Sequence, residues 1–114
     1  MLSVKDKRII LLIIEHCLTI ESVVSTLDKQ QFENDTILKN SVCFDVLQIG
    51  ELAKSLSDDF ISKYDQMPWK DIKGMRDWVV HGYHKIEISR VWKTATEDIK
   101  PLREYCELIL DENA

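Results

Sequence analysis

The sequence predicts an all-α protein, an up-and-down helical bundle of four main helices with one short one. Three observations carry this expectation. Only three Gly and two Pro occur in 114 residues, too few for the turns that many short strands need. Apolar residues recur at three- and four-residue spacing over long stretches, the period of one helix face. No segment shows the strict alternation of a half-buried strand. An apolar content of 45% with 31% charged residues is that of an ordinary globular chain, not a disordered one. The length allows one domain over residues 1–114 with one core. Its stability margin is thin, and pairing with a second copy would bury more surface.

Taken in order, Ser3 followed by Asp6 reads as a helix start, an N-cap oxygen with an acid in the first turn. Ile10, Ile13, Cys17, Ile20, Val24 and Leu27 then mark one face of a long helix, widened by Ile9, Leu12, Ile14 and Val23. A helix apolar on two sides is either central in a bundle or shared with a partner, and the sequence leaves both open. A polar break at 28–35, interrupted only by Phe32, precedes a second long helix from about Thr36 to Leu56. Ser57 caps a short helix that runs to about Tyr64. Pro68 suits the first turn of a helix over Trp69–His81, with Gly82 just beyond it as a C-terminal cap. The last helix carries Ile88, Val91, Trp92, Ala95, Ile99, Leu102, Cys106 and Ile109. Its Pro101 lacks a backbone donor and should kink it near Glu97.

Composition narrows the function. The apolar run Ile9–Ile14 is far shorter than the roughly 20 residues that cross a bilayer, so no membrane role is expected, and cysteines that read as free thiols and not disulfides point to a cytoplasmic compartment. Cys17, Cys43 and Cys106 show no CxxC spacing and fall within helical patterns, which makes them buried free thiols. The net charge of −5 argues against broad electrostatic attachment to nucleic acid. Residues 63–93, however, hold 7 basic against 4 acidic side chains. An anion-binding surface belongs there, unless the lysines are simply solvated.

The stretch PWKDIKGMRDWVVHGYH, Pro68 to His84, lies in that basic quarter and gathers two Trp, an Arg, two His and a Tyr around a helix end. A metal site is not expected, since no HExxH or CxxC is present; nor is a phosphate loop, since no glycine-rich turn precedes a helix. Arg76, Asp77 and His81 remain. In a straight helix residues five apart point about 140° away from each other, so Arg76 and His81 do not converge by helix geometry alone. A composite site between two copies would relieve this. The pair supplies what RNA self-cleavage needs, a base for the 2′-OH and a cation for the charged phosphorane. Read from the residues alone, the structural alternative is stronger, with Arg76 in a salt bridge and His81 capping the helix.

The wider pattern changes that balance. Arg76-Asp77-Trp78-Val79-Val80-His81-Gly82-Tyr83 resembles the R-x4-H-x-Y signature of the HepT-like HEPN family. Ile49-Gly50-Glu51-Leu52-Ala53-Lys54 is similar to the family's IGEAAK segment, and Pro68-Trp69 through Gly74-Met75 to its PWxxIxGMR lead-in. Val91-Trp92 falls where the family's last helix begins. The likeness covers essentially the whole chain as a single HEPN domain.

The resemblance implies a homodimeric toxin of a HepT/MntA-type toxin–antitoxin pair. Its activity would be a metal-independent endoribonuclease with no cofactor, leaving a 2′,3′-cyclic phosphate. Arg76 would hold the scissile phosphate, His81 would act as acid and base, and Asp77 would orient one of them. Tyr83 would be the tyrosine that a cognate nucleotidyltransferase antitoxin modifies with AMP. One departure is Asp77, where the family pattern favours Asn; an acid beside a phosphate site lowers activity. The weak overall electrostatics point to a shaped RNA such as a tRNA end. Competing readings are a non-catalytic accessory or substrate-binding subunit of a nucleotidyltransferase and a structural dimer with a vestigial motif. The blander roles are a surface position for His84, packing for Tyr83, and core or interface for Trp69, Trp78 and Trp92; Glu51 either contributes to the cleft or is solvated or paired between helices.

Overall fold

The computed structural model describes residues 2–82 and 87–114. Among these every regular element is helical. The chain runs through α1 (Val4–Val24), α2 (Lys29–Asn34), α3 (Thr36–Lys54), α4 (Asp58–Lys63) and α5 (Trp69–Gly82). It ends in a rod built from α6 (Glu87–Lys93), a π-helical segment (Thr94–Asp98) and α7 (Ile99–Glu112). Helices α1, α3, α5 and the rod form the bundle around one apolar core, with Ile10, Ile13, Ile20, Val42, Ile49 and Ile99 fully enclosed.

The double apolar face of α1 has a direct cause. This helix packs against α3 on one side and α7 on the other, so it is central in the bundle and its widened face is used within the chain. Leu11 and Leu18 are left exposed on it, each close to half.

Asp6 is more than a first-turn acid. Its amide donates to the Ser3 cap oxygen at 3.0 Å, but its carboxylate is buried, 3% exposed, and reaches the start of α4. There it accepts from the Ser57 amide (2.9 Å) and the Ser57 hydroxyl (2.6 Å), while Ser57 Oγ accepts from the Phe60 amide. One carboxylate thus ties the caps of two helices together. Burial pushes the Asp6 carboxyl up, but the two bonds from Ser57, with Ser3 and the Lys5 charge beside them, together hold the group below its ordinary value. Asp6→Asn is therefore expected to cost about 1–3 kcal/mol at neutral pH. Because the folded value is depressed, that contribution is present above the unfolded value near 3.9 and is lost as pH falls through the folded one. Urea unfolding of both proteins should show the difference closing below about pH 4.

Two sequence expectations need correction. The polar break at 28–35 holds a helix, α2, opened by a reciprocal capping box between Asp28 and Gln31. It exists to bury Phe32, which is fully enclosed with its ring 5.2 Å from that of Trp92. Gly82, expected beyond the helix, is instead the last residue of α5. The distortion expected near Glu97 takes a particular form, the π-helical turn Thr94–Asp98. The widened turn lies just where the proline's missing amide would have bonded. The three cysteines are free and buried as expected. Burial pushes the Cys106 thiol up to about 12 and raises Cys17 and Cys43 as well.

Candidate functional site

The site is built where α5 crosses α3, and a glycine sets the distance. A Cβ on Gly50 would stand 2.8 Å from the Arg76 amide nitrogen and 3.0 Å from its Cβ, closer than packed atoms tolerate. The absent side chain lets the two backbones touch and brings Arg76 against the neighbouring Glu51. Gly50→Ala is expected to destabilise the fold by about 1–3 kcal/mol through overpacking, partly offset by alanine's better helix propensity of up to ~1 kcal/mol. A lowered urea midpoint with an unchanged slope would register it.

Arg76 itself is held from two sides. Its Nε lies 2.8 Å from Glu51 Oε1 and its Nη1 3.1 Å from Asp77 Oδ1. Glu51 Oε1 is shielded from solvent and makes no aligned hydrogen bond, so the contact is an ion pair with the N–H off axis. The Arg76 side chain is 41% exposed. Among the described residues its Nη2 edge meets no carboxylate, and that edge is the part of the fork that faces a phosphate oxygen. One cation faces two carboxylates, which fixes the guanidinium but weakens its pull on an anion.

The structure therefore brings Arg76 and Asp77 together and adds Glu51 in its helix-pairing role. The backbone of His81 lies in the last turn of α5, about 7–8 Å further along the axis at 1.5 Å per residue. The side chain of His81, and the whole of Tyr83 and His84, lie outside the described residues. Glu51 was legible only through the IGE segment, because nothing in its own spacing points to Arg76, 25 positions away.

The tryptophans divide. Trp69 is in the core, with its indole N–H donating to the Tyr64 carbonyl at 2.8 Å. Trp92 packs on Phe32. Trp78 packs against the core on one side and on the other lies beneath the Arg90 guanidinium, 4.5 Å from ring centre to cation. Among the described residues, no group of three or more His, Cys, Asp or Glu is placed to hold a metal, and no helix is long and apolar enough to cross a membrane.

An all-helical bundle carrying an Arg-Asp pair and a helix-end histidine on one helix, buttressed by a Gly-Glu step on another, is a HEPN-type arrangement. Comparison with known proteins agrees. The family model described as "Ribonuclease HepT-like" matches residues 13–109. The chain is 31% identical over 109 residues to "Putative RNase MJ0127" of Methanocaldococcus jannaschii, covering 94% of this chain and 90% of that one. It is 29% identical over 100 residues to "Putative RNase TTE0752" of Caldanaerobacter subterraneus, covering 88% and 89%. It is also 36% identical over 55 residues to "Probable ribonuclease HepT" of Thermococcus cleftensis, covering 48% and 50%. No solved structure gives a significant match. The chain belongs to the HepT-like ribonuclease family.

Proposed function

We propose that this protein is a metal-independent endoribonuclease, the toxin of a toxin–antitoxin pair, acting as a homodimer whose two Arg76/His81 pairs share one cleft. The observation that carries the reading is Arg76, locked by Glu51 and Asp77 on the helix whose last turn holds the His81 backbone. In the reaction His81 takes the proton of the 2′-OH, and the resulting oxygen attacks the adjacent phosphorus. The P–O5′ bond breaks, the 5′-oxygen receives a proton, and a 2′,3′-cyclic phosphate remains. Arg76 stabilises the extra charge on the phosphorane oxygens. Because one helix does not converge its own Arg and His, the second protomer supplies the missing partner across the cleft. An exposed apolar stripe on α3, Ile37 and Phe44, leads at seven-residue spacing to Glu51, and exposed Val80 follows Arg76 by one turn. Such a surface suits a dimer contact beside the site.

Neutralisation belongs to the same reading. AMP placed on Tyr83 by a nucleotidyltransferase antitoxin adds an anion two residues from His81, which occupies the phosphate position and repels RNA. The accessory-subunit reading draws on one observation, the two carboxylates around Arg76 that reduce its attraction for phosphate.

The deciding experiment is cleavage of cellular RNA by the purified, antitoxin-free protein in EDTA, beside His81→Ala, with product ends identified. Cyclic-phosphate ends from the wild type alone are expected. No cleavage of any RNA pool would hand the function to the accessory reading.

A further inference from the structure

A second surface on α5 is not used by the chemistry above. Between α5 and the rod runs a groove of about 780 Å³, within the roughly 300–1,000 Å³ of sites that take small molecules. Lys70, Gly74 and Trp78 line it from α5, with Arg90, Lys93 and Pro101 opposite. Gly74 forms an open floor, since a Cβ there would meet nothing within 4 Å. Unlike Trp69, Trp78 makes no hydrogen bond through its indole N–H among the described residues, and Arg90 stacks over its ring. Lys70 and Lys93 are exposed and have no ion pair among the described residues. Lys70, Lys93 and the Arg90 guanidinium thus line the groove together with two carboxylates, Asp71 and Asp98, in a chain whose net charge is −5.

We propose that this groove binds the single-stranded RNA flanking the scissile phosphate. A base stacks on the outer face of the Arg90 guanidinium, which itself rests on the Trp78 ring, and neighbouring phosphates rest on Lys70 and Lys93. The inference rests on the ribonuclease reading for its substrate, but it stands on separate residues. An aromatic face, a guanidinium and spaced lysines are the elements by which unpaired nucleic acid is held without base-edge readout. Position supports it too. Gly74 and Trp78 each lie two residues from Arg76, so groove and arginine are separated by about the width of one helix, roughly 10–12 Å. That spacing suits a flanking nucleotide and not the reacting one. The groove gives a chain of acidic net charge a local means of holding RNA, and it selects for strands unpaired beside the cut.

The test measures binding of a fluorescent 12-nucleotide unstructured RNA to the His81→Ala protein, which leaves the RNA intact. The same measurement is made after adding Gly74→Leu or Lys93→Glu. Leucine at 74 fills the groove and is a better helix former than glycine, so the melting temperature should not fall. Affinity is expected to drop about ten- to hundredfold with Gly74→Leu. Lys93→Glu should weaken binding and flatten its salt dependence. Unchanged affinity in both variants would overturn the proposal, whether or not the wild type cuts RNA. So would intact RNA affinity combined with lost capture of a nucleotidyltransferase partner, which would make the groove a protein-docking surface. Groove-dependent binding by a wild type that never cuts would uphold the groove and sink the ribonuclease reading alone.

Discussion

Arg76→Ala is expected to lower RNA cleavage by about two to three orders of magnitude, the usual effect of removing a charged contact to a developing oxyanion. Stability should hardly change. The ion pairs of Arg76 are on partly exposed side chains, where such pairs contribute about 0–1 kcal/mol. Alanine also keeps the Cβ that packs beside Gly50. Arg76→Lys should recover little, because a point charge cannot satisfy Glu51, Asp77 and a phosphate oxygen with one planar fork. Asp77→Asn should act in the opposite sense and raise kcat/KM, since it removes a negative charge 3.1 Å from the guanidinium while keeping an acceptor. Single-turnover cleavage of one RNA by all four proteins, beside their melting curves, checks the set. Equal activity of wild type and Arg76→Ala would remove Arg76 from the chemistry.

Phe32→Ala is expected to be the most destabilising single change in the chain outside the four main helices, costing about 3–5 kcal/mol. The ring is fully enclosed and packs tilted against Trp92, 5.2 Å between ring centres, so its loss leaves a cavity between α2, α3 and the rod that the rigid helices close only in part. A drop that size is a large share of the roughly 5–15 kcal/mol that holds a typical domain folded. Chemical unfolding followed by tryptophan fluorescence would report it, with Trp92 as the nearby probe. A loss below about 1 kcal/mol would mean that α2 is only loosely attached.

That prediction also marks where sequence reading stopped. Helices α1, α3 and α7 were legible because each repeats its apolar face over three or more turns, long enough for the period to show, and α5 because Pro68 and Gly82 bracket it. Helix α2 was not, because six residues with one apolar side chain have no period; what orders it is the capping box and the pocket waiting for Phe32. Proline chemistry located the distortion in the last helix, but its π-helical form depends on how α1, α6 and α7 pack around Thr94 and Ala95, both buried.

The candidate site divides in the same way. Arg76, Asp77, His81 and Tyr83 were readable as one signature because they are adjacent in sequence. The partnership of Arg76 with Glu51 was not, since it arises only when Gly50 lets α3 and α5 meet. Nor could Asp6 be seen as the clasp between α1 and α4, its partner Ser57 lying 51 positions away. Local rules act over a few residues, and so the long helices, the Ser3 and Ser57 caps and the Arg-His motif could be read from the chain alone. Which faces meet, how closely, and which carboxylate stands beside the arginine were decided by tertiary packing, because those contacts join residues that no local period connects.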